Sequence, residues 1–184
     1  MTDESNTITR FFGSNLMLAV FVLLLGFSVL AEAGVREKAG SPAKVVRVND
    51  GDTITAFVDG RYEKIRLIGI DAPEMGQRPW GGRAKKHLED ILSSAGPVHV
   101  EYDVEKRDKY GRILAYIKTA SGRLVNADML RDGYAVLFTF PPNVKHVDDM
   151  ISAQKQAREA RLGIWGANGL TQAPVDWRRQ HPRR

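Results

Sequence analysis

Three apolar segments joined by short turn sequences fill the first half of the chain and most constrain its fold. Residues 45–48, 53–58 and 62–70 alternate in polarity or run apolar over lengths typical of strands. The connections N-D-G-D (49–52) and D-G (59–60) are rich in residues that form tight turns. The pattern therefore predicts three consecutive strands linked as hairpins.

One helix and two further strands follow the hairpins. Apolar residues at helical spacing predict a helix over 82–94, and 98–104 and 112–118 are predicted as the fourth and fifth strands. A short helix between Asn126 and Gly133 and a longer one over 147–162 come next. The order β-β-β-α-β-β-α-α predicts a mainly β protein with helices (α+β), a five-stranded OB-fold β-barrel carrying three helices.

The N-terminal segment has a different character from the rest of the chain. Residues 11–31 carry no charge, and Ala31-Glu32-Ala33 supplies an A-x-A cleavage pattern. This predicts a signal peptide over residues 1–33 and a secreted or periplasmic protein. The alternative is an uncleaved membrane anchor through residues 11–31 with an exported domain, because an uncharged segment of this length could span a bilayer.

The remainder divides into three predicted parts. Residues 34–43 are small and polar and are expected to form a linker. Residues 44–166 hold the strand and helix pattern and form the expected OB-fold domain. Residues 167–184, rich in Pro and Arg, are expected to be a basic, disordered tail.

Composition narrows the chemistry. The chain has no cysteine, which excludes disulfides, thiolate zinc sites and cysteine nucleophiles. Its formal net charge of +5 and pI of about 9.6 indicate an acidic partner such as nucleic acid or an anionic surface.

Acidic side chains stand at strand ends, where folding does not require them. Asp50 and Asp52 lie in the first turn, and Asp71 and Glu74 close the third strand. Carboxylate oxygens are hard donors that suit Ca²⁺ or Mg²⁺ better than zinc. The alternative for Asp50 and Asp52 is that they only shape the turn.

Two arginines could complement these acids. Arg66 lies inside an apolar strand, and Arg112 begins the fifth strand. A guanidinium binds phosphate through two parallel hydrogen bonds and keeps its charge. Arginines and a bound cation can stabilise the charge that develops when water attacks a phosphodiester, while a carboxylate orients or deprotonates the water. The alternatives are a surface ion pair for Arg66 and a turn-edge cation for Arg112.

Three charged motifs, taken together, point to a family. N-D-G-D-T (49–53), R-L-I-G-I-D-A-P-E (66–74) and D-K-Y-G-R-I-L-A-Y (108–116), in this order and separation, resemble the staphylococcal nuclease (thermonuclease) family. The resemblance runs from about Lys44 to Trp165. It implies an SNase-like OB fold and a secreted, Ca²⁺-dependent nuclease that hydrolyses phosphodiester bonds of DNA and RNA. A monomer without an obligate protein partner is expected.

The resemblance also implies roles for the acids. Asp52 and Asp71 match calcium-binding carboxylates, and Ala72 matches the position whose backbone carbonyl is a calcium ligand. Glu74 matches the glutamate that acts on the attacking water, as base or as positioner. Asp50 matches an acid beside the metal that need not bind it directly.

The basic and aromatic positions follow in the same way. Arg66 and Arg112 match the two phosphate-binding arginines, and Lys109 and Tyr110 match residues that contact a neighbouring phosphate and nucleotide. Phe138 and Phe140 stand where the family uses tyrosines against the nucleotide, so stacking on bases is retained while a hydroxyl is lost.

A second hypothesis is a non-catalytic OB-fold module that binds nucleic acid or another protein. Members of the family that serve as scaffolds generally lack the catalytic acids. This chain keeps all five key charges, which favours the enzyme.

Overall fold

The computed structural model describes residues 40–182, and seven strands and four α-helices lie within that range. The strands are β1 (Ser41–Val48), β2 (Thr53–Val58), β3 (Arg61–Leu67), β4 (Gly69–Asp71), β5 (Val98–Glu101), β6 (Ile113–Thr119) and β7 (Val136–Phe138). The helices are α1 (Trp80–Ala95), α2 (Val125–Arg131), α3 (Val147–Glu159) and α4 (Pro174–Gln180), with a 3-10 helix at Gly163–Trp165.

Five of the strands close into a barrel in the order β1-β2-β3-β6-β5. Neighbouring strands are antiparallel except for the parallel pair β3 and β6. The barrel confirms the predicted OB-type α+β class. The helix number was wrong, because three helices were predicted and residues 40–182 contain four α-helices.

The third predicted strand, 62–70, is divided in two. The break falls at Ile68, and Gly69, the first residue of β4, has a φ of +78°, a backbone conformation that glycine adopts without steric cost. β4 leaves the barrel and pairs with β7, a strand that the sequence pattern did not predict, so that Gly69 lies opposite Phe138. Arg66 therefore stays in the barrel wall, while Asp71 lies in a separate two-stranded sheet.

The core fills the barrel and the space beneath the helices. Ile54, Ile65 and Ile117 are fully buried in the barrel. The predicted apolar face of α1 is also buried, including Ala84 and Leu88. Burial of the barrel interior and of this helical face stabilises the fold, because the hydrophobic effect scales with the apolar area removed from water.

The folded part of the chain extends beyond both boundaries of the predicted domain, 44–166. Ser41–Ala43, predicted as linker, belong to β1 and pair with Val98–Val100 on β5, the contact that closes the barrel. The tail predicted as disordered contains α4, which begins at Pro174. Proline suits the first turn of a helix because its missing N–H would have no partner there.

Three predictions lie outside the described residues. They are the signal peptide over 1–33, the alternative membrane anchor through 11–31 and most of the linker. Between residues 40 and 182, no helix combines the length and apolar character needed to cross a membrane.

Candidate active site

The turn between β1 and β2 brings the first acids against the end of β4. The Asp50 carboxylate accepts a hydrogen bond from the N–H of Asp52 at 3.1 Å, which fixes the turn. Gly51 lies so close to β4 and α1 that an added Cβ would be 2.6 Å from Cβ of Ala72 and 2.8 Å from Cβ of Ala84. A residue without a side chain is therefore what allows Asp52 to approach Ala72.

Asp52 and Arg66 form the centre of the site. Oδ2 of Asp52 accepts a hydrogen bond from the N–H of Ala72 at 2.9 Å. Nη2 of Arg66 lies 3.2 Å from the same oxygen and 3.5 Å from Oδ1 of Asp71. Arg66 therefore bridges two acids from different segments, and the structure brings Asp52, Arg66, Asp71 and Ala72 close together.

The carboxylate of Asp71 is held by Arg178, a residue that no sequence motif indicated. The side chain of Asp71 is 1% exposed, and Arg178 of α4 donates two parallel hydrogen bonds to it, at 2.8 Å and 2.9 Å. Nη1 of Arg178 also donates to Oε1 of Glu74 at 3.0 Å. A bidentate guanidinium–carboxylate pair is among the strongest ion-pair geometries. Pro174 followed by Trp177 was the available signal for a docked helix here.

Gln77, also missed from the sequence, positions the segment that carries Glu74. Its Oε1 accepts a hydrogen bond from the N–H of Glu74 at 2.9 Å, and its Nε2 donates to the carbonyl of Gln172 at 2.9 Å. Gln77 is buried, so these contacts also satisfy an amide removed from water. A buried polar side chain three residues after Glu74 has no periodic signal in the sequence.

The loop before β6 presents the remaining predicted residues. Asp108 accepts hydrogen bonds from Nε of Arg112 at 2.7 Å and from its backbone N–H at 2.9 Å. Tyr110 is 74% exposed, and Lys109 lies over its ring at 5.2 Å. Asp108 thereby orients Arg112, while Lys109 and Tyr110 face outward.

A single cleft collects most of these side chains. Its volume is about 1060 Å³, and α4 contributes Trp177, Arg178 and His181 to its walls. Ala72 and Asp71 do not line it; Ala72 is buried, and Asp71 lies behind Arg178. The predicted residues that do line the cleft are Asp50, Asp52, Arg66, Glu74, Lys109, Tyr110, Arg112, Phe138 and Phe140.

Negative charge is crowded at one end of this cleft. Burial, together with the neighbouring charge of Asp52, raises the pKa of Asp50 to about 6. Burial also raises the pKa of Asp71, although the hydrogen bonds and charge of Arg178 act in the opposite direction. The site thus has a surplus of acid that a cation would offset.

The donor set fits a hard cation. Asp52 and Asp71 supply carboxylate oxygens, and both contact one atom of Arg66, so they face a common point. Within residues 40–182, no group of three or more acidic or histidine side chains is arranged to hold a metal ion. A cation here would complete its coordination with a backbone carbonyl and water, which calcium accepts readily.

The barrel and its cleft define an OB-fold domain with a site suited to phosphate groups. The family model described as Staphylococcal nuclease homologue matches residues 64–167. A thermonuclease of Staphylococcus intermedius is 36% identical over 160 residues, covering 82% of this chain and 94% of the relative. The chain belongs to the staphylococcal nuclease family.

Further relatives have similar names. A thermonuclease of Staphylococcus hyicus is 31% identical over 161 residues, covering 82% of this chain and 94% of the relative. Endonuclease YncB of Bacillus subtilis (strain 168) is 33% identical over 150 residues, covering 72% of this chain and 70% of the relative.

Proposed function

We propose that this chain is an exported, Ca²⁺-dependent nuclease that hydrolyses phosphodiester bonds of DNA and RNA. Membership of the staphylococcal nuclease family, with thermonucleases and an endonuclease among its relatives, supports the hydrolase class. One observation supports the proposal most strongly. Asp52, Glu74, Arg66 and Arg112, drawn from separate segments, line the same cleft.

The two arginines bind the scissile phosphate in this proposal. Arg66 and Arg112 have side chains that are 15% and 31% exposed, so they are partly desolvated yet accessible to a ligand. A partly dry site strengthens their interaction with phosphate oxygens. Because negative charge on these oxygens grows as the phosphorus becomes five-coordinate, fixed guanidinium groups stabilise the transition state more than the substrate.

Asp52, Asp71 and the carbonyl of Ala72 are the residues that would hold the metal. When bound, Ca²⁺ supplies positive charge that stabilises the negative charge of the phosphate oxygens. The hydrogen bond from Ala72 N–H to Asp52 is a support for this assignment, because it fixes the carboxylate beside the segment that offers the carbonyl.

Glu74 acts on water. Its side chain is 19% exposed and lines the cleft, so its carboxylate can contact a water molecule there. Glu74 orients this water and accepts its proton while the new O–P bond forms. The bond from phosphorus to the 5′-oxygen breaks, the departing oxygen takes a proton from solvent, and the product carries a 3′-phosphate.

The exposed aromatic side chains at the cleft mouth hold the flanking nucleotides. Tyr110 and Phe140 are 74% and 71% exposed and line the cleft, as does Phe138. Aromatic faces stack on any base, which supports action on both DNA and RNA without strong sequence preference. Lys109 supplies a further positive charge for a neighbouring phosphate.

Replacement of Glu74 by Gln tests the enzyme. The full-length chain, kept in solution with a mild non-ionic detergent, is assayed on single-stranded DNA with Ca²⁺ and with EDTA. Glu74→Gln should reduce turnover by about 10²- to 10⁴-fold, because an amide cannot accept the water proton. Its melting temperature and affinity for DNA should stay near those of the parent.

Glu89→Gln, a change on α1 at a residue that does not line the cleft, is the matched control and should leave turnover unchanged. Parental turnover in Glu74→Gln would refute the proposed role of Glu74. Binding of DNA without any Ca²⁺-dependent cleavage by the parent would instead favour the non-catalytic module.

Export rests on the apolar segment 11–31 and the A-x-A pattern that ends at Ala33. Mass spectrometry of the protein recovered outside the cytoplasm should give a product that begins at Gly34. A full-length mass in the membrane fraction would support the anchored alternative.

A further inference from the structure

The C-terminal segment is fixed onto the loop that carries Glu74. The indole N–H of Trp80 donates to the carbonyl of Asn168 at 3.2 Å, and Gln77 donates to the carbonyl of Gln172 at 2.9 Å. The ring of Trp177 lies so close to Gly76 that an added Cβ there would be 2.6 Å from the ring. These contacts place α4 over the acidic end of the cleft.

Only one of the two adjacent arginines of α4 enters the site. Arg178 contacts Asp71 and Glu74, whereas Arg179 pairs with Asp176 of its own helix and is 75% exposed. The contact to the acids therefore comes from one positioned side chain and not from a generally basic tail.

Arg178 uses the oxygens that the proposed metal site requires. Both carboxylate oxygens of Asp71 accept hydrogen bonds from it, and its Nη1 lies between Asp71 and Glu74. A calcium ligand oxygen lies 2.3 to 2.6 Å from the ion. A guanidinium and a divalent cation at the same carboxylate would repel each other strongly in a partly buried site.

We propose that Arg178 is a built-in cation that occupies the carboxylate site until a divalent cation displaces it. The proposal rests on the metal site of the proposed function and adds a competition to it. The two equilibria are linked. The ion must first displace Arg178, so the free energy by which Arg178 stabilises the metal-free site weakens the observed binding of the ion by the same amount.

Displacement is sterically simple. The Arg178 side chain is 37% exposed, and α4 spans only Pro174–Gln180 near the end of the described chain. Rotation of the long side chain toward solvent releases Asp71 and Glu74, while the contacts of Trp177 and Gln172 can hold the segment in place. The competition therefore needs no unfolding of the barrel.

Calorimetric titration with Ca²⁺, in the absence of nucleic acid, tests the competition. The full-length chain in detergent is compared with Arg178→Gln and with Arg179→Gln, which removes the same charge from the next residue. Arg178→Gln should bind Ca²⁺ about tenfold more tightly, within the range usual for coupled sites. Arg179→Gln should stay within about twofold of the parent, because an exposed charge is well screened.

Arg178→Lys should give an intermediate affinity, since it keeps one charge but loses the bidentate contact. Melting curves verify that each variant is folded. Equal or weaker Ca²⁺ binding by Arg178→Gln overturns the competition while leaving the nuclease proposal intact. Absence of Ca²⁺ binding in all variants, with cleavage that EDTA does not reduce, overturns the Ca²⁺-dependent function and the competition with it.

Discussion

Two clusters of charged residues shift the pKa of an acidic side chain in opposite directions. On β5, the carboxylate of Glu101 contacts Lys145, Lys118 at 3.0 Å and His146 at 2.9 Å. Burial alone would raise its pKa, but the hydrogen bonds from these groups prevail and lower it to about 2. In the cleft, burial and the charge of Asp52 raise the pKa of Asp50 to about 6.

The opposite pKa shifts distinguish two kinds of acid. Glu101 stabilises the fold, whereas the acids of the cleft leave negative charge that a cation can neutralise. Glu101 contacts Lys118 of β6 and Lys145 of the segment before α3, so it ties these elements together. The cleft acids are crowded against one another, and crowding of like charge costs stability unless a cation is near. The first cluster should therefore affect stability alone, and the second should affect catalysis and metal binding.

The largest expected effect in the cleft is on turnover. Arg112→Lys should lower kcat/KM by about 10³-fold, because a single ammonium cannot reproduce the bidentate contact to the charge of the transition state. Arg123→Lys is the control, since Arg123 pairs with Asp128 and does not line the cleft. Steady-state kinetics on single-stranded DNA make the measurement. If Arg112→Lys has the kinetics of the parent, Arg112 does not stabilise the transition state.

In the opposite cluster, Glu101→Gln should reduce stability at pH 7 by up to about 3 kcal/mol. The pKa of Glu101 is lowered in the folded state, so its contribution is fully present above its ordinary value of 4.5. The contribution is lost as the pH falls toward 2. Urea unfolding at several pH values should therefore show the two proteins differing at neutral pH and converging in acid.

Turnover at pH 7 distinguishes the clusters in the same variant. Glu101→Gln should retain parental kcat and the parental Ca²⁺ requirement, provided that the assay temperature is below its melting transition. A stability difference that persists unchanged at pH 2 would show that the lost packing, and not the ion pairs, causes the effect.

A smaller effect is expected for the metal requirement. Asp52→Asn keeps an oxygen that can accept the hydrogen bond from Ala72 but removes a ligand charge. The Ca²⁺ concentration for half-maximal activity should rise roughly tenfold, since ligand charge sets the affinity of such sites. Glu101→Gln serves as its control. An unchanged titration would exclude Asp52 as a ligand.

The sequence predicted the barrel because apolar periodicity is a local property. Alternation over 53–58 and turn residues at 59–60 specify a hairpin before any tertiary contact forms. The cleft residues on these strands, such as Arg66, could be predicted from the sequence for the same reason. Their motifs could be compared with a known family, and the closed barrel confirmed the class.

The missed features depend on contacts between distant segments. β7 has only three residues and exists because β4 leaves the barrel at Gly69 and offers an edge. Arg178 lies over a hundred positions from Asp71, in a segment whose composition is typical of a loose tail. Composition describes the average of a segment, whereas the docking of α4 depends on particular contacts, such as that of Trp177 with Gly76 and that of Arg178 with Asp71.

The smallest expected effect is at the cleft mouth and concerns the nucleotides beside the scissile bond. Phe140→Ala should raise KM for single-stranded DNA roughly fivefold with little change in kcat, because stacking on one base is lost while the charged groups remain. Phe57→Ala is a matched control, since Phe57 is an exposed phenylalanine that does not line the cleft. A drop in kcat without a change in KM would mean that Phe140 positions the reacting groups, and the aromatic rim would then belong to the catalytic cluster.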